Sequence, residues 1–440
     1  MSYSAIMCKI AGIRQHSNAD RLLVGSCFGS QVIVGLDTKE GDLGIYFPCD
    51  GQLSEAFAKA NDLVRRKNED GTAAGGMFDE NRRVRAQKFR GEISDGFWMP
   101  LDSLKLEGAS TKSLVELFAE KDGTELVAIG GVEICRKYVS NATHGARDKN
   151  NQRPAKVSYG SVMFKEHYDT GQWSRNLHQV HKGDLVVITE KLHGTSQRYG
   201  HVEVDDYLPK WKRFFIKLLL PKLYEDFTLT KWIYLNGTRR VVLKPVAEDA
   251  GDTSWHGNKL RELAIQPFKG NLRKSETVYF EVVGYEPEGR PIMNSVHVSK
   301  LKDKFFTALY GDGEMNFSYL CKPGESKVYV YRITTTNEDG LVYDYSWYDV
   351  KQRCEELGVA YVPELSIVHM SGDNTEFLEG LTDSLAKGPS TLDASHIREG
   401  VCVRLEGGLT PRVYKHKSFE FKVLEGIIKD SDVVDMEEAS

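Results

Sequence analysis

Uneven spacing of strand-forming runs is what most limits the fold open to this chain. From residue 184 onward, apolar and β-branched runs recur at "DLVVITEK" (184 to 191), "TRRVVL" (238 to 243), "ETVYFEVVGY" (276 to 285), "SKVYVYRI" (326 to 333), "GVCVRLEG" (400 to 407) and "SFEFKVLE" (418 to 425). A helix pattern, "SWYDVKQRCEELG" (346 to 358), stands between them. A doubly wound parallel sheet would alternate strand and helix at a nearly constant period, so this spacing predicts an α+β protein instead. At 440 residues the chain exceeds what one core usually serves, and two or three domains are expected.

The front of the chain has a different texture. "LLVGSCFGSQVIVGL" (22 to 36) and "GDLGIYFPCD" (41 to 50) are short strand runs punctuated by glycine, the pattern of a small β-barrel. A helix is expected over 53 to 67, then an exposed glycine-rich loop over 68 to 92. That loop gathers Arg82, Arg83, Arg85, Lys88 and Arg90, a cluster that reads either as a solvated edge or as a track for a nucleic-acid backbone. The polar, aperiodic "SNATHGARDKNNQRPAK" (140 to 156) marks the boundary. The resulting division is a β-barrel domain over 1–145, a larger α+β domain over 146–426 and an acidic tail over 427–440.

Charge and cysteine usage then exclude several classes. With 58 basic and 63 acidic residues the net charge is -5, so no global positive field advertises nucleic acid or an anionic membrane, and any basic surface is local. The seven cysteines include no CxxC pair, which speaks against a disulfide framework or a structural zinc and for a reducing compartment, the cytoplasm. "HQVH", with His178 and His181 three apart, offers no further metal ligands nearby. No membrane partner is expected: the start lacks a signal-peptide core, and the greasiest run, "RFFIKLLLPKLY" (213 to 224), is broken by Lys217, Pro221 and Lys222. The basic, aromatic "LPKWKRFFIKLLLPKLY" (208 to 224) reads either as a segment that touches a membrane or RNA or as an inserted helix pair packing its apolar side chains on the core.

The chemistry-bearing feature is Lys191, which ends a hydrophobic strand run and enters the turn His193, Gly194, Thr195 and Ser196. Later strands carry Glu281 inside "VYFEVVGY", Glu399 before "GVCVRL", and Lys415 and Lys417 two apart in "VYKHKSFEFK", hence on one sheet face. A lysine amine can attack the α-phosphorus of a nucleoside triphosphate and hold the nucleotide as a phosphoramidate. It must first lose a proton, which from an ordinary lysine pKa costs roughly 4–5 kcal/mol at pH 7. Neighbouring cations such as Lys415, Lys417 or a bound metal ion are expected to lower that cost and then to neutralise the phosphate oxygens. Glu281 and Glu399 suit a ribose hydroxyl and a magnesium ion, and Gly194 would let the backbone approach the nucleotide closely.

"EKLHGTS" resembles the signature of ATP-dependent RNA ligases, within the covalent nucleotidyltransferase superfamily that also holds DNA ligases and messenger RNA capping enzymes. "VYFEVVGY", "SKVYVYRI", "REGVCVRL" and "VYKHKSFEFK" resemble its later motifs in the family's order. "EHYDTGQWSRN" (166 to 176) looks like the lead-in of nick-sealing RNA ligases, and the likeness spans about 164 to 426. It implies a nucleotidyltransferase (ATP-grasp-like ligase) domain of antiparallel sheets and helices. Lys191 would be the adenylated nucleophile, with Glu190 placing the adenine and Leu192, His193 and Gly194 completing the motif. Glu281 would bind the ribose, Tyr331 would stack on the base, Glu399 would serve the metal and the lysine, and Lys415 and Lys417 would grip the α-phosphate. Arg239 or Arg240 in "NGTRRVVL" would meet the phosphate of the RNA 5′ end. His193 departs from the aspartate commonest in DNA ligases and capping enzymes, and Arg332 departs from the acidic residue usual in its strand.

"HSNADRLLVG" (16 to 25) and "FRGEISDGFWMPL" (89 to 101) resemble transfer-RNA-binding OB domains and the N-terminal OB modules of some nick-sealing RNA ligases. RNA contact through Arg83, Arg85 and Arg90, or a mere packing role, both suit such a module. The implied cofactors are ATP and Mg2+, with Mn2+ as the alternative metal. The implied activity is joining of RNA 3′-hydroxyl and 5′-phosphate ends at nicks in RNA repair, through lysyl-AMP and RNA-adenylate, by a monomer. A GTP-dependent capping-type guanylyltransferase and a DNA ligase are the alternatives, beside a non-catalytic RNA-binding protein with a decayed site, which the presence of the lysine, the carboxylates and the paired lysines disfavours. The first is disfavoured by the lack of a phosphatase or methyltransferase-like module, the second by the lack of an OB domain after 426.

Overall fold

The structure is a computed structural model that describes residues 3–49, 51–66, 76–105, 123–138, 161–168, 170–205, 230–243, 258–301, 303–372, 375–406 and 410–425. The segments 140–156 and 208–224 and the acidic tail lie outside the described residues. Contacts divide the chain into two units. The first comprises Met1–Asn151, His297–Gly313 and Phe419–Ser440; the second comprises Gln152–Val296 and Glu314–Ser418. Mixed α and β structure with mostly sheet content is the outcome, in line with the spacing of the strand runs.

In the first unit, β1 (Ala5–Lys9), β2 (Ala11–Gln15), β3 (Leu22–Cys27), β4 (Ser30–Gly35), β5 (Leu43–Phe47), β6 (Phe97–Pro100) and β7 (Glu125–Leu126) form two small sheets. Their orders are β6-β5-β1-β7 and β2-β3-β4. Alternation along β1 sends Ala5 and Met7 into one core with Ile45, Phe47 and Phe57, and Cys8 into another with Val32, Tyr46 and Trp98. β3 and β4 join through Phe28 and Gly29, both at positive φ, a two-residue turn whose twist suits a hairpin. Among the described residues these strands make separate sheets and no closed barrel. The helix expected over 53 to 67 is shorter, Glu55–Ala60: Ser54 caps its start by accepting from the Phe57 amide, and Asp62 at φ 53° turns the chain away. "SFEFKVLE", read as a strand, is a helix over Phe419–Leu424 that buries Phe421, Val423 and Leu424. A run that short carries no decisive periodicity, so packing within this unit chose the conformation.

The second unit holds two sheets built from β8 (Leu185–Lys191), β9 (Thr195–Asp205), β10 (Thr230–Thr238), β11 (Glu276–Gly284), β12 (Ser326–Thr336), β13 (Val342–Asp344), β14 (Glu364–His369), β15 (Gly400–Leu405) and β16 (Arg412–Lys417). One runs Gly171–Gln172, β16, β15, β8, β14; the other runs β10, β9, β11, β12, β13. The labelled strands pair antiparallel throughout. In the first sheet the period of two divides labour. Val186, Ile188, Val401, Val403 and Leu405 join Trp173 and Leu378 in the core, while Thr189, Lys191, Cys402, Arg404, Val413, Lys415 and Lys417 line a cavity. "TRRVVL" was expected to be a strand; the strand is the preceding Thr230–Thr238, and Thr238 Oγ1 accepts the Val241 amide at 3.0 Å to turn the chain back.

α1 (Trp347–Leu357) matches its sequence signals, with Ser346 accepting from the Asp349 amide and Gly358 left-handed at the end. It carries Arg353, whose guanidinium grips the fully buried Glu276 at the start of β11 through Nε (2.8 Å) and a terminal nitrogen (2.9 Å). α2 (Thr375–Ala386) packs on β15 and β16, where Thr382 accepts the indole N–H of Trp173 at 2.9 Å. No described helix is long and apolar enough to cross a membrane. Removing one side of a buried bidentate pair strands its partner's charge, so Arg353→Ala is expected to destabilise the protein by about 3–5 kcal/mol. Denaturant titration beside the parent protein measures this, and a loss near zero would mean that Glu276 finds water instead.

Candidate active site

The cavity of the second unit draws on both of its sheets, and register assembles its centre. Lys191 pairs with Gly400 across β8 and β15, and Gly400 pairs with Lys417 across β15 and β16. Glu399, one residue before that pairing, is thereby set between two lysines. Its Oε1 lies 2.6 Å from Lys191 Nζ and 3.2 Å from Lys417 Nζ, and its Oε2 lies 3.4 Å from His193 Nδ1. A side chain at position 400 would strike the His416 carbonyl, so only glycine allows this approach of β15 and β16.

Charges here are strongly coupled. Burial alone would raise the Glu399 carboxyl, but Lys191 and Lys417 outweigh it and hold it well below the usual carboxylate range. Burial likewise pushes the Lys191 amine down, yet the facing Glu399 carboxylate, with Glu281, turns the net shift upward. The expectation that neighbouring cations depress this lysine therefore fails for the protein by itself: Glu399 is nearer than any cation and keeps the amine charged. Glu281, on β11 opposite Ser196 of β9, is pushed up to about 8 by burial, against the pull of Lys191. At pH 7 it is protonated.

Glu190, Lys191, Leu192, Arg239, Glu281, Tyr331, Glu399, Lys415 and Lys417 all border this cavity. Several of them also make contacts within the protein. The Glu190 carboxylate is taken up by Ser390 Oγ (2.5 Å) and by the amide and hydroxyl of Thr391 (3.0 and 2.5 Å), so it anchors a loop. The close approach that requires Gly194 is to the Val282 carbonyl and Glu281 of the neighbouring strand, which a side chain would strike. His193 is buried beside Glu399 and donates its backbone N–H to Tyr319 Oη at 2.7 Å. Arg239 faces the cavity and donates to the Tyr168 carbonyl at 2.9 Å, whereas Arg240 is exposed. In the first unit, Arg83 and Arg85 are half-buried and Arg90 is exposed.

Sequence reasoning missed the opposite wall. His167, Tyr168 and Thr170 of the "EHYDTGQWSRN" lead-in line the cavity, and the likeness of that segment was the available signal. Burial, reinforced by Arg332, Arg239 and Arg198, pushes His167 down to about 2, so it stays neutral and edge-on to Tyr331 at 5.0 Å. Between Tyr279 and Phe280 the ladder of β11 and β12 shifts register and skips Tyr331. This bulge turns both Tyr331 and Arg332 to the cavity side. Arg332 is neutralised by Asp344 (2.5 and 3.0 Å) and sandwiched between the Tyr168 and Tyr279 rings at 4.4 and 4.6 Å, which accounts for a cation where an acid is usual.

Residues 184–424 match a family model described as RNA ligase. No curated protein matches the chain by sequence. Among solved structures, Naegleria gruberi RNA ligase with PPi is similar at 16% identity and TM-score 0.58, over 95% of this chain and 97% of that one. A mutant of that ligase with ATP and Mn is similar at 17% identity and TM-score 0.59, over 96% and 98%. Another, with AMP and Mn, gives 16% identity and TM-score 0.55, again over 96% and 98%. At these identities the likeness is one of fold.

A raised carboxyl pKa has a stability consequence of definite sign. A Glu281 that titrates near 8 when folded and near 4.5 when unfolded contributes stability below about 4.5 and loses it as pH rises through about 8. Glu281→Gln, which cannot ionise, is therefore expected to gain thermal stability over the parent progressively from pH 5 to pH 8. Melting curves across that range test this, and a pH-independent offset would refute the shift.

Proposed function

The chain belongs to the RNA ligase family, and from that premise we propose that it is an ATP- and divalent-metal-dependent enzyme joining RNA 3′-hydroxyl and 5′-phosphate ends at nicks. The observation that carries this reading is the buried Glu399 carboxylate shared by Lys191 and Lys417 in a cavity also bordered by Glu281, Tyr331, Arg239 and Lys415. The supporting likeness is to a ligase whose solved forms include ATP with Mn and AMP with Mn.

In this reading Lys191 Nζ attacks the α-phosphorus of ATP, a nitrogen–phosphorus bond forms, and the bond to the pyrophosphate oxygen breaks. The amine must first part from Glu399 and lose its proton. Among the described residues there is no group of three or more His, Cys, Asp or Glu side chains to cage a metal. Of the two glutamates, Glu399, held ionised, would hold a Mg2+-like ion, while the protonated Glu281 would not. Such an ion, when bound, supplies neutralisation of phosphate charge and competition with Lys191 for the Glu399 carboxylate. Lys415 and Lys417 hold positive charge where the α-phosphate develops negative charge. The protonated Glu281 can donate to a ribose oxygen, and Tyr331, braced by Ser196 Oγ at 2.7 Å and by His167, offers its ring to the base. From lysyl-AMP the adenylate passes to the RNA 5′-phosphate, a phosphate that Arg239, which borders the cavity, would meet. The 3′-hydroxyl then attacks the RNA-adenylate and releases AMP.

The front of the chain, over 1–145, is read as an OB-like module that holds RNA through Arg83, Arg85 and Arg90, with a nucleotidyltransferase domain over 146–426 and a tail over 427–440. A monomer working in the cytoplasm suits the seven free cysteines. Two experiments test the reading. Incubation with α-labelled ATP and magnesium, without RNA, is expected to leave label on the denatured chain, and Lys191→Ala to abolish it; label from GTP but not ATP would move the protein to the capping class. Four nicked duplexes, with RNA or DNA on each side of the break, are expected to be sealed whenever the 3′-hydroxyl side is RNA, because the 2′-hydroxyl there both donates and accepts hydrogen bonds. Efficient closure of the all-DNA nick would overturn the RNA assignment and leave the lysine chemistry intact.

A further inference from the structure

Close to the nucleophile lies a strained turn that the reaction scheme does not use. Tyr319 and Leu320 are consecutive non-glycine residues in the left-handed region, with φ of 51° and 57°. Side chains rarely sit there, and such a conformation persists only where its surroundings over-determine it. They do so here. Asp393 Oδ2 accepts from Ser318 Oγ at 2.7 Å and from the Leu320 amide at 2.9 Å, closing the turn from both sides. Lys327 Nζ donates to the Tyr319 carbonyl at 3.1 Å, and the His396 ring stands edge-on to the Tyr319 ring at 4.6 Å.

The turn is not kept for the packing of leucine, because Leu320 is 68% exposed while Tyr319 is 1% exposed. What it delivers is the Tyr319 hydroxyl, buried and accepting the backbone N–H of His193 at 2.7 Å. Phe317, just before the turn, holds the His193 ring edge-on at 4.6 Å. Backbone and ring of His193 are thus both gripped by one segment. His193 lies two residues after Lys191, and its Nδ1 is 3.4 Å from the carboxylate that pairs with the Lys191 amine.

We propose that Tyr319 is a positioning residue for the lysine-adenylation step: held in its left-handed turn by Asp393, it fixes the main chain at His193 and so the aim of Lys191. It touches no reacting atom. The proposal rests on Lys191 being the nucleophile. Its effect is selective by step, because only in self-adenylation does Lys191 form a new bond from a free amine, and misplacing a reacting group by about 1 Å costs on the order of a hundredfold. When the 3′-hydroxyl attacks a 5′-adenylate already present on the nick, no bond to Lys191 is made.

The test is Tyr319→Phe, which removes one oxygen and keeps the ring. With α-labelled ATP, the rate of label transfer to the chain is expected to fall roughly 10- to 100-fold while the ATP concentration for half-maximal rate changes by no more than about twofold. Sealing of a nick supplied with a ready-made 5′-adenylate by the same preparation is expected to stay within about twofold of the parent. Asp393→Asn, which loosens the turn without touching Tyr319, should show the same selectivity in smaller measure. Equal loss in both assays, unaltered labelling, or a Tyr319→Phe protein that does not fold would each overturn the proposal and leave the hydroxyl as an ordinary core acceptor. Failure of the parent reading looks different, since the unsubstituted protein itself would then take no label.

Discussion

The register that lines up Lys191, Gly400 and Lys417 across three antiparallel strands is the constraint on which the rest of the site depends. Glu399 reaches both amines only because it immediately precedes the central position of that row. A slip of one residue in either pairing would turn Lys191 or Lys417 to the opposite face of the sheet, into the core that Val186, Ile188, Val401 and Val403 fill. The same apolar residues therefore fix the fold and the chemistry at once. Gly400 is the concession that lets the strands close, since any side chain there would meet the His416 carbonyl.

That geometry sets an electrostatic resting state rather than a reactive one. Glu399 is held ionised by its two lysines, and Lys191 is held charged by Glu399. Desolvation opposes both charges and loses only because their separation is 2.6 Å. An amine kept in this way stays charged as long as the carboxylate remains beside it, so in the proposed reaction the reactivity of Lys191 would depend on what displaces Glu399. Glu281, left without so close a cation, goes the other way and stays protonated near neutral pH. Two glutamates of one cavity thus hold opposite protonation states because one is paired and the other is only buried.

The opposite wall shows how irregular backbone serves a site. A bulge in β12 breaks the strict alternation of "SKVYVYRI" and brings Tyr331 and Arg332 to the same side. Arg332 would be an intolerable lone charge there without Asp344, and with it becomes the filling of a Tyr168–Tyr279 sandwich that holds the lead-in segment against the sheet. The left-handed turn at Tyr319 and Leu320 is of the same kind: a local cost offset by Asp393 in a turn whose buried Tyr319 hydroxyl accepts the His193 amide.

Much of this was legible in the sequence, for definite reasons. The strands Leu185–Lys191, Glu276–Gly284, Ser326–Thr336 and Gly400–Leu405 and the helix Trp347–Leu357 are long enough for period and capping to identify them, and charged residues in or beside the strand runs marked Lys191, Glu281, Glu399, Lys415 and Lys417. The short runs failed: 238 to 243 is a turn held by Thr238, and 418 to 425 is a helix. Other features have no local signature at all. That the Glu190 carboxylate serves Ser390 and Thr391, that Gly194 yields to Val282, and that Tyr319 reaches His193 are contacts between residues 88 to 201 positions apart in the chain. Sequence determined which side chains could do the chemistry, because period and residue type are local properties. Tertiary structure alone decided which of them meet, whose proton is held and by whom, because distance and burial are not.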